Sequence, residues 1–156
     1  ITAMLPASAG LDRGCTTTDE TGWEDAGLQG EMKGAAVVNW FGITDVPAML
    51  HTPEERGYAV EWFGSMPNRE EVARRVSPMT YVRSGLPPVI TIHGDKDTLV
   101  PHSQAERLHA ALDKVGVANK LVTIPGGGHG RFSPDQDVAA FAAVRNFLVE
   151  QRVIGK

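Results

Sequence analysis

The sequence predicts an α/β domain: a short, mostly parallel sheet sandwiched between helices in a three-layer α/β/α stack. Two observations carry this. First, "AAVVNWF" (35–41), "PPVITIH" (87–93) and "KLVTI" (120–124) are brief apolar runs rich in β-branched residues, as buried strands are. Second, helical periodicity falls between and after them, so successive strands require right-handed crossovers and run parallel. With 156 residues, 42% apolar and 22% charged, the chain is expected to form one domain spanning 1–156.

Taken in order, "ITAML" (1–5) is short, apolar and closed by Pro6, and is expected to be the last turn of a helix. Residues 6–34 are rich in Gly, Thr, Asp and Glu without clear periodicity and read as loop. The first strand then ends at Gly42. Residues 45–82 form a helical excursion with two starts, a capping box at Thr52-Pro53-Glu55 and another at Asn68-Glu71, separated by "SMPN". "PPVITIH" is continuously apolar and is expected to be buried on both faces.

Ser103 with Glu106 opens the next helix, whose apolar face carries Ala105, Leu108, Leu112 and Val115 and which Gly116 ends. The last helix starts at the box Ser133-Pro134-Gln136 and is expected to bury Val138, Phe141, Val144 and Leu148. Three strands leave the N-terminal outer strand without a neighbour.

Composition narrows the function. A net charge of −4 offers no surface for nucleic acid or anionic membrane. No apolar run has the length of a membrane span. Cys15 is the sole cysteine, so an internal disulfide is excluded and the compartment stays open, cytoplasmic or secreted. The first residues carry no initiator Met and no signal-peptide pattern, and read as a start in the middle of a longer protein.

Chemistry in a parallel sheet collects at the carboxyl ends of its strands. Two loops fall there: "HGDKD" (93–97) after one strand and "GGGHG" (126–130) after the next. Neighbouring strand ends bring an acid and a histidine within reach. A carboxylate on one imidazole nitrogen fixes the tautomer and leaves the other nitrogen as general base. Asp, Gly and His are also common turn residues, so the pair carries the signal and neither loop does so alone. His93, Asp95, Asp97, His102 and His129 lack metal-ligand spacing, and "GGGHGR" is not a GxGxxG phosphate loop, so no metal and no cofactor are expected.

"SPMTYVRSGLPPVITIHGDKDTLVPHSQAERLHAAL" followed by "IPGGGHG" and an amphipathic helix closely resembles the C-terminal half of an α/β-hydrolase. The branch it resembles holds esterases and lipases, prolyl-oligopeptidase-like enzymes and acetyl, feruloyl and xylan esterases. The resemblance implies a partial α/β-hydrolase fold and a carboxylic ester hydrolase, a serine hydrolase with a Ser-Asp-His catalytic triad. It maps the triad acid to Asp97, the histidine to His129, and leaves Asp95 as a turn residue and His93 at the strand end. It puts 45–82 in the lid or cap position, with Trp62 and Phe63 toward a small ester substrate of acyl or acetylated or feruloylated sugar type, Asp45 as a cap contact and Trp40 in the core.

The sequence departs from that family at the nucleophile. No serine stands in GxSxG; the nearest approach, "PASAG" around Ser8, has Pro6 in the first Gly position. Ser65 and Ser84 lack the strand-to-helix context, and no HGGG oxyanion motif is present. The expectation is a hydrolase fragment, inactive alone, whose serine lies in a missing N-terminal half. The alternative is a non-catalytic half-domain that self-associates as an oligomer through an exposed sheet edge.

Overall fold

The computed structural model describes residues 2–6, 34–51 and 53–155. Strands β1 (Thr2–Pro6), β2 (Gly34–Trp40), β3 (Val89–Gly94) and β4 (Asn119–Ile124) form one sheet in that order. β2, β3 and β4 are parallel, with Val38 beside Ile90 and Ile92 beside Val122. The expected parallel sheet is therefore present. "ITAML" departs from expectation. Rather than a helix end it contributes β1, antiparallel to β2 with Met4 opposite Val37. Five residues are too few to favour a helix by themselves, and pairing satisfies the free edge of β2, which the sequence left without a neighbour.

Both faces of the sheet are covered. Helix α4 (Pro134–Glu150) packs Ala140, Phe147 and Leu148 on Ala36, Val38, Ile90, Ile92 and Ile124. On the other face, helix α3 (Ser103–Lys114) packs Leu108 and Leu112 against Val89 and Val117. All six residues of β3 are buried, as expected of a strand enclosed on both faces.

α4 begins at the expected capping box: Ser133 Oγ accepts from Gln136 N–H and Gln136 Oε1 accepts from Ser133 N–H. Its buried face is shifted from the expected one. Val138 and Phe141 are 71% and 63% exposed, and Val144 is only partly buried. Ala140, between Val138 and Phe141, faces the sheet, while Phe141 turns aside and meets the Trp40 ring at 5.1 Å between centroids. Trp40 is accordingly a partly buried core residue rather than a fully enclosed one.

Between β2 and β3 the chain forms two short helices, α1 (Gly57–Phe63) and α2 (Arg69–Arg75), flanked by single 3₁₀ turns at Pro47–Leu50 and Pro78–Tyr81. Their apolar residues Val46, Met49, Leu50, Ala59, Phe63 and Ala73 make a small core of their own. Asn68 makes no side-chain capping bond, and Thr52 lies outside the described residues.

This excursion is tied to α3 by polar groups. Buried Gln104 accepts the Thr44 and Asp45 N–H groups at 3.0 and 2.7 Å and donates to the Asp45 carbonyl. Arg107 grips Glu54 with two nitrogens at 2.7 and 2.8 Å and Asp45 with a third at 3.1 Å. Ser103, read from sequence as a cap, donates to Glu54 instead, and α3 starts one residue earlier than that reading, at Ser103 itself.

The Arg107 bonds hold the Glu54 carboxyl at about 2, well under its ordinary 4.5, against the opposing effect of burial. A depressed carboxyl contributes stability in full above its unfolded value and loses it as pH falls. Glu54→Gln is expected to cost about 1–3 kcal/mol near neutrality. In melting curves against pH, the gap between wild type and Glu54→Gln should close from pH 4.5 down toward 2. A gap constant over that range would contradict the account.

Candidate active site

The carboxyl ends of β3 and β4 carry the two loops that the sequence singled out. The loops touch through backbone. Gly94 ends β3 in full burial, and Lys96 N–H donates to the Gly127 carbonyl at 2.9 Å. A Cβ on Gly94 would overlap that carbonyl, so only glycine permits this approach. Asp95 is exposed and accepts the Gly126 N–H at 2.7 Å, which pins the start of the second loop. Phe41 flanks the loop on the other side: a side chain at Gly130 would strike its ring.

That scaffold brings Asp97 and His129 together. His129 Nδ1 lies 2.8 Å from Asp97 Oδ2. The Asp97 side chain has no solvent exposure, whereas that of His129 is one-third exposed. Asp97 Oδ1 accepts the Leu99 and Val100 N–H groups at 2.9 and 2.8 Å, an Asx-type turn that closes the loop on itself. One carboxylate oxygen is thus committed to backbone and the other to the imidazole. With Nδ1 engaged by the carboxylate, Nε2 is the nitrogen left for proton transfer.

A groove of about 470 Å³ opens beside His129, lined also by Phe41, Gly42, Ile43, Tyr58, Trp62, Leu99 and Val100. The Phe41 ring meets the imidazole edge-on at 4.6 Å. Tyr58 and Trp62 come from α1, and the Tyr58 hydroxyl donates to the Leu99 carbonyl at 3.0 Å, fastening α1 to the acid loop. Burial raises the Tyr58 phenol above its ordinary value. The lining contains no serine; Ser65 and Ser84 lie elsewhere, and Ser8 and Trp23 fall outside the described residues.

The two aromatic residues expected to face a substrate part company. Trp62 lines the groove and is exposed, while Phe63 departs from expectation by turning into the core of the excursion, because adjacent positions on a helix point about 100° apart. Tyr58, one helical turn before Trp62, was not singled out in the sequence, although the i, i+4 spacing of two aromatics was there to be read. Asp45 sits in the excursion, bonded to Arg107. Among the described residues no cluster of His, Cys, Asp and Glu has the form of a metal site. No described helix is long and apolar enough to cross a membrane.

The fold and the positions of these loops define a partial α/β-hydrolase. The chain belongs to the BD-FAE family of esterase-like α/β-hydrolases, whose model matches residues 3–112, a span that includes Asp97 but not His129. It is 35% identical over 80 residues to esterase LipQ of Mycobacterium tuberculosis, covering 51% of this chain and 18% of LipQ. It is 30% identical over 134 residues to the non-reducing polyketide synthase Preu6 of Preussia isomera, covering 83% of this chain and 6% of the synthase.

Among solved structures, a truncated carbohydrate esterase from gut microbiota superposes with a TM-score of 0.64 at 31% identity, covering 77% of this chain and 43% of that one. Esterase 2 of Thermogutta terrifontis, phosphonylated by sarin, gives 0.64 at 25% identity, with coverage of 79% and 46%. The chain thus spans less than half of either solved esterase and under a fifth of either curated relative.

Gly94→Ala tests the backbone contact between the two loops. We expect a loss of about 1–3 kcal/mol in thermal unfolding, the usual cost of overpacking. The His129 Nδ1 proton resonance should also move or broaden, because the Gly127 carbonyl has to give way. An unaltered resonance would mean that the contact does not set the histidine's position.

Proposed function

We propose that this chain supplies the acid and the base of a serine esterase acting on carboxylic esters, with Asp97 orienting His129. The observation that carries this reading is the 2.8 Å bond from His129 Nδ1 to the fully buried Asp97 carboxylate, at the edge of an apolar groove. Membership of an esterase-like family and likeness to solved esterases support the same reaction class. The attacking serine belongs to protein outside the described residues. His129 takes its proton through Nε2, the serine oxygen adds to the ester carbonyl, and the alcohol leaves with that proton. Water then repeats the sequence to free the acid. Asp97 stays ionised throughout and stabilises the imidazolium.

The groove is apolar apart from His129, Tyr58 and backbone groups, so uncharged acyl or alcohol parts suit it, with Trp62 as an exposed platform. Small esters, including acetylated or feruloylated sugars, are the proposed substrates.

By itself the chain is expected to hydrolyse p-nitrophenyl acetate little or not at all. Clear turnover abolished by His129→Ala would show a nucleophile inside it and sink that part of the proposal. In an active enzyme that contains this chain, Asp97→Asn should lower kcat by about 10⁴ with KM little changed, since the amide favours the wrong tautomer. A loss below tenfold would remove Asp97 from the proposed role.

A further inference from the structure

His93 is fully buried on the α3 face of β3, beneath the acid loop. Its Nε2 lies 3.0 Å from the Val100 carbonyl and 3.4 Å from Asp97 Oδ2, the oxygen that His129 engages. Both neighbours are acceptors, so Nε2 must carry a hydrogen; a bare nitrogen would face two sets of lone pairs. Its Nδ1 is buried and has no partner among the described residues, so a hydrogen there would go unsatisfied. These two facts leave one form, the neutral Nε2–H tautomer. The titratable groups near it are Asp97, His102 and His129, and burial pushes its own imidazole below the ordinary range. A neutral donor serves the Val100 carbonyl without adding a charge beside Asp97.

The geometry points to His93 as a positioning residue: its Nε2–H, bonded to the Val100 carbonyl and 3.4 Å from Asp97 Oδ2, holds that oxygen in line with His129 Nδ1. This rests on the reading of Asp97 and His129 as the working pair. Asp97 Oδ1 is fixed by the Leu99 and Val100 N–H groups, yet rotation about that anchor would still carry Oδ2 away from His129. His93 opposes the rotation twice, by anchoring Val100 through its carbonyl and by placing the positive end of its N–H dipole near Oδ2. His93 is not itself a lining residue of the groove and reaches it only through Val100 and Asp97.

The test is spectroscopic and needs no turnover. In His93→Leu, checked for folding by circular dichroism, the His129 Nδ1 proton resonance should move or be lost, whereas His93→Gln, which keeps an N–H, should retain it. A resonance unmoved in folded His93→Leu overturns the assignment, whatever happens to the melting temperature. Should His93→Leu fail to fold, long-range proton–nitrogen spectra of the wild type still decide: His93 must show a bare Nδ1 and protonated Nε2 near neutrality. An Nδ1–H tautomer or an imidazolium there overturns it. Failure of the esterase reading appears separately, as activity that survives Asp97→Asn.

Discussion

The Asp97 carboxylate is the point on which the local structure turns. A fully desolvated carboxylate is costly to bury and must be met by donors on every side. Here the donors come from two places, its own loop through Leu99 and Val100 and the next loop through His129, while His93 in the strand beneath brings Nε2 to 3.4 Å. Only a parallel sheet with β3 beside β4 puts those three at one strand end. The fold is what makes the buried charge tolerable, and the buried charge is what fixes the loops.

Two further constraints keep that arrangement in register. Backbone meets backbone where Gly94 passes Gly127, so the acid and histidine loops are spaced by main chain rather than by flexible side chains. The excursion between β2 and β3, which has its own apolar core, is bound to α3 by Glu54, Asp45, Gln104 and Arg107 and to the acid loop by Tyr58. The groove wall formed by α1 is therefore tied to the same strand ends as the proposed pair, and Trp62 is presented beside His129 by that tie.

Legibility followed the range of the interactions involved. β3 was readable because enclosure on both faces demands a continuous β-branched run, β2 and the less buried β4 because they are short apolar runs, and the Ser133 box because a cap is local. The Asp97–His129 contact was expected from two loops at adjacent strand ends, although spacing alone could not separate it from polar turns. "ITAML" went the other way, because five apolar residues carry no period and a neighbouring edge decides their conformation. Ser103 looked like a cap until Glu54, far off in sequence, took its hydroxyl. Phe141 and Val138 matched a buried helical stripe, but Ala140, Phe147 and Leu148 are the residues of that helix that the sheet covers.

By itself the sequence determined the α/β class, the parallel order of three strands, and the two loops that carry an acid and a histidine. Strand periodicity and strand-end chemistry are local properties of the chain. Only the tertiary structure decided that Asp97 gives one oxygen to backbone and the other to His129, that His93 stands beneath it with a single bare nitrogen, and that Trp62 rather than Phe63 reaches the groove. Those outcomes depend on which surfaces burial brings together, and that is set by the packing of elements far apart in the chain.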